Sequence, residues 1–175
     1  MSDEPAHILV VDDNEMNRDM LSRRLQKLNY NVEMAENGER CLEMMRAFRY
    51  DLVMLDIMMP KMNGYEVLET AKADSALRQV PIIMISAVDD LDSVVRCIEL
   101  GAEDYLFKPF NPVLLKARVS ATLDKYRRFG NVVSSDSLVY SIIADAESLL
   151  NGAAGTVNDS QKAVLQRIID NAKSL

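Results

Sequence analysis

Charged residues follow three short apolar runs of this chain. Asp12 and Asp13 come directly after the run 7–11, Asp56 ends the run 51–56, and Lys108 follows 105–107. A carboxylate at the end of a buried strand costs free energy unless something there uses its charge. Three carboxylates and a lysine gathered at strand ends could hold a divalent metal ion and receive a phosphoryl group.

The residue types suggest a role for each side chain. A carboxylate and a phosphoryl group are both negatively charged, so transfer requires a positive charge that neutralises their repulsion. A magnesium ion held by one or two carboxylates can supply it. We expect Asp13 and Asp56 to bind the metal directly, and Asp12 to bind it directly or through water. Lys108 would act as a point charge on the phosphoryl oxygens. The Ser86 hydroxyl, at the end of another apolar run, could hydrogen-bond one of these oxygens.

The spacing of apolar residues from 7 to 128 predicts five strands that alternate with helices. The strands are predicted at 7–11, 31–35, 52–55, 82–85 and 105–107, and the helices at 14–28, 37–48, 64–73, 89–100 and 111–129. Continuous apolar strands separated by helices favour a parallel sheet that is covered on both faces. Such sheets bind ligands outside the carboxyl ends of their strands, so the candidate side chains should share one rim.

Composition and charge restrict the classes of function. The 175 residues carry a formal net charge of −7. Nucleic acids and anionic membranes are bound mainly by clusters of Lys and Arg, so this charge disfavours both as partners. No apolar stretch approaches the ~20 residues that span a bilayer, and the acidic N-terminus has no signal-peptide core. We therefore expect a cytoplasmic protein. Cys41 and Cys97 are predicted to be free buried thiols, and with a single histidine they cannot form a Cys/His zinc site.

Residues 129–175 have a different pattern and are predicted to form a helical hairpin after a first domain at 1–128. Apolar residues at helical spacing predict one helix at 138–150 and a second that Asn158 caps, with a break at 151–155. A hairpin buries little by itself, which favours a homodimer through residues 132–175. Packing on the first domain, or a linker, is the alternative. The pattern stops at Leu175 without a capping signal, which suggests a fragment of a longer protein.

Four segments carry the residues of the predicted rim. They are ILVVDDN at 8–14, DLVMLDIMMP at 51–60 with Asn-Gly at 63–64, PIIMISA at 81–87 and GAEDYLFKP at 101–109. Together they resemble the receiver domain of two-component response regulators. The resemblance implies an α/β fold with a doubly wound, five-stranded parallel sheet of flavodoxin-like strand order 2-1-3-4-5. It also implies a phosphoacceptor signalling domain rather than an enzyme.

The resemblance further implies the site chemistry. A phosphohistidine on a sensor histidine kinase or phosphotransfer protein would donate its phosphoryl group to Asp56, with Mg²⁺ required and Lys108 assisting. The implied metal ligands are Asp12, Asp13, Asp56 and the backbone carbonyl of Met58.

Two conformational features are also implied by the resemblance. Ser86 would move toward the phosphate while Tyr105 rotates inward. The peptide bond between Lys108 and Pro109 would be cis, an isomer that is accessible to X-Pro bonds.

Residues near the phosphoacceptor argue against a phosphatase. Aspartate-nucleophile phosphatases need an acid–base carboxylate two residues after the nucleophile, and Met58 occupies that position. Val88 is likewise apolar two residues after Ser86. Because neither side chain can orient an attacking water, slow loss of phosphate from Asp56 is predicted.

The tail is similar, over 141–150 and 161–175, to the dimerisation hairpin of histidine kinases. The position of that family's phosphorylated histidine falls near Val133, so the hairpin would keep the dimer scaffold without the kinase chemistry. A regulatory input module of a larger enzyme, such as a nucleotide cyclase or hybrid kinase, is the alternative function. A DNA-binding regulator is disfavoured because the tail has three basic and five acidic residues and no evident recognition helix.

Overall fold

A computed structural model describes residues 4–87, 90–130, 146–147, 150 and 158–173. Its strands are β1 (His7–Val11), β2 (Asn31–Ala35), β3 (Leu52–Asp56), β4 (Ile82–Ser86) and β5 (Asp104–Phe107). Its helices are α1 (Glu15–Gln26), α2 (Gly38–Ala47), α3 (Gly64–Ala73), α4 (Leu91–Glu99), α5 (Pro112–Gly130) and α6 (Asp159–Lys173).

All five strands are parallel, in the order β2-β1-β3-β4-β5. The predicted fold class and strand order are therefore confirmed. The reason lies in the strands' composition, since β3 and β4 are buried along their whole length. Strands buried on both faces need helices on each side, and the β-α-β connections of a parallel sheet supply them.

Alternate strand residues point into two separate cores. One core contains Leu9 and Val53 and packs against buried residues of α2, α3 and α4. The other contains Val10 and Met54 and packs against α1 and α5. This alternation follows the two-residue period of a strand, and it fixes which helices lie on which side of the sheet.

The first helix buries a narrower stripe than its sequence suggests. Of the apolar residues whose spacing predicts this helix, Leu21 and Leu25 are buried, whereas Met16 and Met20 are 80% and 42% exposed. Each residue turns an α-helix by about 100°, so Met20 lies well to the side of the stripe that begins at Leu21. Phe48, which follows α2, is likewise 63% exposed.

The chain divides into two compact units, Met1–Tyr126 and Arg127–Leu175. In the second unit, Asn158 caps α6 as predicted, since its side chain accepts a hydrogen bond from the Gln161 backbone N–H at 2.9 Å. Most of the helix predicted at 138–150 lies outside the described residues.

No helix among the described residues is long and apolar enough to cross a membrane.

Candidate functional site

Strand register brings the predicted rim residues together. Val11 pairs with Leu55 across β1 and β3, so Asp12 and Asp56 leave neighbouring strands at the same level. On the other side of the sheet centre, β4 and β5 end together, and the Lys108 backbone N–H donates to the Ser86 carbonyl oxygen at 2.8 Å. The carboxyl ends of four strands thus carry the candidate residues, as expected from the parallel arrangement.

Lys108 is the centre of the charged cluster. Its Nζ lies 2.6 Å from Asp12 Oδ2 and 2.8 Å from Asp56 Oδ1, so one ammonium bridges both carboxylates. Both aspartates are almost fully buried, with only 5% and 4% of their surface exposed. An ammonium placed between two buried carboxylates offsets part of the cost of removing their charges from water.

Three carboxylates are close enough to bind one cation. One oxygen from each of Asp12, Asp13 and Asp56 lies within 4.8 Å of the others, and Asp13 is exposed at the edge of the cluster. Carboxylate oxygens are the ligands that Mg²⁺ and Ca²⁺ prefer. The donor set therefore fits a hard divalent cation, which could replace the ammonium as the counter-charge.

Burial and the neighbouring charges shift the pKa values of Asp56 and Lys108. Burial raises the pKa of Asp56 to about 6, and the charges of Asp12 and Asp13 add to this, while the hydrogen bond and charge of Lys108 oppose it. Burial alone would lower the pKa of Lys108, but its contacts with the two buried carboxylates outweigh this and raise it. Lys108 therefore stays protonated at neutral pH, and an uncompensated negative charge remains at the rim.

Ser86 and Tyr105 lie on the neighbouring strands β4 and β5. Ser86 is fully buried, and the Tyr105 ring is 6% exposed and lies 5.0 Å from the Phe107 ring. Burial raises the pKa of Tyr105, and a side-chain hydrogen bond with Ser86 partly opposes this. The Tyr105 side chain is thus buried, and the Ser86 side chain is its hydrogen-bond partner.

Two turns complete the rim. The Lys108–Pro109 peptide bond is cis. In the turn after β3, a Cβ at Gly64 would lie 2.4 Å from the Asp56 carbonyl oxygen, so only glycine fits there. The Met58 side chain, in the same turn, is 65% exposed. The implied ligation by its backbone carbonyl remains a prediction, and Val88 lies outside the described residues.

Sequence reasoning missed residues of α1 that support the rim. Arg18 Nη1 donates to the Asp12 backbone carbonyl at 2.7 Å, and Asn17 Nδ2 lies 3.4 Å from Asp12 Oδ1. Arg24 Nη1 donates to the Phe110 carbonyl at 3.2 Å. Because the arginines bond to backbone oxygens, their partners have no side-chain signature that the sequence could reveal.

Comparison with known proteins identifies relatives of the first unit. The sequence model described as "Response regulator receiver domain" matches residues 8–120. A solved structure of the chemotaxis protein CheY4 of Vibrio cholerae superposes with a TM-score of 0.64 at 31% identity, covering 67% of this chain and 98% of that protein.

Two curated relatives extend the comparison. A protein of Cyanidium caldarium named "Probable transcriptional regulator ycf27" is 43% identical over 67% of this chain and 46% of its own length. The "DNA-binding response regulator MtrA" of Mycolicibacterium paratuberculosis is 43% identical over 66% of this chain and 50% of its own. The chain thus spans about half the length of these relatives. Their names give no support to the prediction that no nucleic acid is bound.

Proposed function

Since this chain belongs to the family of response regulator receiver domains, which are signalling domains of two-component systems, we propose that it is a switch whose phosphoacceptor is Asp56. One observation carries the assignment of the residue. Asp56 is a buried strand-end carboxylate that contacts Lys108 and lies within one cation's reach of Asp12 and Asp13.

The proposed step transfers a phosphoryl group from a phosphohistidine of a sensor histidine kinase or phosphotransfer protein. A bond forms between phosphorus and a carboxylate oxygen of Asp56, and the phosphorus–nitrogen bond breaks, its electron pair leaving with the imidazole. Asp12, Asp13, Asp56 and the Met58 carbonyl would hold a magnesium ion, which would supply positive charge between the carboxylate and the incoming phosphoryl group.

Lys108 and Ser86 act on the transferred group in this proposal. Lys108 gives up its carboxylate contacts and pairs with a phosphoryl oxygen through a charge-assisted hydrogen bond. Ser86 donates its hydroxyl to a second oxygen. The hydrogen bond between Ser86 and Tyr105 then links occupancy of Asp56 to the position of the tyrosine ring.

Residues 1–128 form the receiver and residues 129–175 a dimerising hairpin in this proposal, with phosphorylation changing how the hairpin pairs. The amphipathic pattern of the tail and the capped helix α6 support the hairpin. The cytoplasmic location and the absence of a nucleic-acid partner remain predictions from the sequence.

Phosphorylation by acetyl phosphate tests the assignment. The full chain is incubated with acetyl phosphate and Mg²⁺, and intact-mass spectrometry should show one added phosphoryl group that is absent with EDTA. Asp56→Asn should abolish the addition. Asp51→Asn, at the opposite end of the same strand, is the matched control and should be labelled like the wild type. Labelling of the Asp56→Asn protein would refute the assignment.

Oligomeric state tests the output. Sedimentation velocity of the full chain with and without beryllofluoride, an analogue of the phosphoryl group, should show a change in the monomer–dimer equilibrium. Identical sedimentation distributions would refute the coupling between phosphorylation and dimerisation, and would leave the assignment of Asp56 unaffected.

A further inference from the structure

Two arginines of α1 hold the two loops that carry opposite charges of the site. Arg18 Nη1 donates to the carbonyl oxygen of Asp12 at 2.7 Å, in the loop after β1. Arg24 Nη1 donates to the carbonyl oxygen of Phe110 at 3.2 Å, in the loop after β5. The first loop supplies two of the carboxylates, and the second supplies Lys108.

The second contact has a further component. The Arg24 guanidinium carbon lies 5.5 Å from the centroid of the Phe110 ring, within the range of a cation–π interaction. Phe110 is 7% exposed and packs in the core that contains Leu25 of α1. Phe110 follows Lys108 by two residues, so the anchor lies next to the lysine rather than at a distant part of the loop.

The ion pairs of Lys108 cannot hold this loop in every state of the site. Lys108 Nζ can donate hydrogen bonds to Asp12 and Asp56 only while the oxygens of both carboxylates are free to accept them. When Lys108 turns to a phosphoryl oxygen, those contacts are lost. The bonds from α1 end on the backbone carbonyls of Asp12 and Phe110, so neither uses a side-chain atom that a cation or a phosphoryl group would bind.

We propose that α1 is a brace that fixes the spacing between the acidic loop and the lysine loop. Arg18 is a positioning residue for Asp12, and therefore for cation binding. Arg24 is a positioning residue for Lys108, and therefore for the phosphoryl group. This inference rests on the proposed function.

The two roles predict different losses. Arg18→Met should weaken Mg²⁺ binding by about threefold to tenfold, because a charge-assisted hydrogen bond to the Asp12 loop is lost. Removing a positive charge near the carboxylates would by itself strengthen Mg²⁺ binding. The direction of the change in Mg²⁺ affinity therefore distinguishes a positioning role of Arg18 from a purely electrostatic effect. Arg24→Met should leave Mg²⁺ affinity within about twofold and weaken beryllofluoride binding at saturating Mg²⁺ by about tenfold.

Isothermal titration calorimetry on the full chain measures both affinities. Arg23→Met is the matched control, because it removes the same charge from an exposed position of the same helix, and both affinities should stay at the wild-type values. Thermal denaturation shows whether each variant is folded. If Arg24→Met does not fold, Arg24→Lys replaces it, and we expect a loss of about threefold because lysine lacks the flat guanidinium that lies over Phe110.

The outcomes are distinct. Wild-type affinities in both arginine variants would overturn the brace. So would an equal loss of Mg²⁺ and beryllofluoride affinity that is fully explained by a lower melting temperature. So would stronger Mg²⁺ binding by Arg18→Met. If the wild-type chain itself binds neither Mg²⁺ nor beryllofluoride, the proposed function fails instead.

Discussion

Replacing Asp56 with asparagine should stabilise the metal-free protein. Burial and the two nearby aspartates raise the pKa of Asp56 from 3.8 to about 6, even with Lys108 opposing them. At pH 7 the folded state therefore holds a charge that the unfolded state accommodates more easily. The difference of about 2 pKa units corresponds to about 3 kcal/mol, because one unit is about 1.4 kcal/mol. Asparagine has nearly the same shape as aspartate and no charge, so Asp56→Asn should raise the free energy of unfolding by most of this amount.

The pH dependence has a defined sign. Between about pH 4 and pH 6 the folded protein keeps a proton on Asp56 that the unfolded chain has lost. Stability of the wild type therefore falls as the pH rises through this window. The advantage of Asp56→Asn should be below about 1 kcal/mol at pH 4 and reach its full value above pH 7.

Urea denaturation followed by circular dichroism in EDTA, at pH 4 and pH 7.5, measures the effect. Glu69→Gln, which removes one negative charge from an exposed position of α3, is the control and should change stability by no more than about 0.5 kcal/mol. Saturating Mg²⁺ should stabilise the wild type more than Asp56→Asn, because the variant lacks one carboxylate of the cluster. An Asp56→Asn protein no more stable than the wild type at pH 7.5 in EDTA would refute the reasoning.

Three further predictions concern packing and buried polar groups. Gly64→Ala should destabilise the protein by about 3 kcal/mol in urea denaturation, because its Cβ would lie 2.4 Å from the Asp56 carbonyl oxygen; an unchanged midpoint would contradict this. Tyr126→Phe should cost about 1 kcal/mol, since the hydroxyl donates to Glu103 Oε2 at 2.8 Å, and equal stability would show the bond to be dispensable. Burial raises the pKa of Cys41 to about 12, so its thiol should not react with Ellman's reagent at pH 8 until urea unfolds the chain; rapid reaction in the native protein would oppose the assignment.

The sheet and the rim could be predicted because each depends on a strong local pattern. Apolar runs as long as β3 and β4 have few alternatives to a strand that is buried on both faces, and a charged residue directly after such a run marks the end of the strand. Lys108 and Asp12 are distant in the sequence, but parallel strands bring their carboxyl ends to one edge.

Other features depend on three-dimensional contacts that have no sequence pattern. The bonds of Arg18 and Arg24 end on backbone oxygens, and every residue has one. Met16 and Met20 fit the apolar period of α1 but lie outside its buried stripe, because hydrophobic spacing tolerates residues at the margin of a helix face. The shifted pKa of Asp56 depends on how deeply the strand end is buried, which only the packed structure shows.

The bridging lysine also bears on the synthesis of the protein. Lys108 is 96 residues from Asp12 and 52 from Asp56, and it belongs to the loop after the last strand. A nascent chain that has emerged only as far as β4 carries all three aspartates but lacks the ammonium that bridges two of them. The bridge between Asp12 and Asp56 can therefore form only after the chain has been synthesised past β5. The charged rim is thus completed late in synthesis, although two of its carboxylates, Asp12 and Asp13, are among the first residues of the chain.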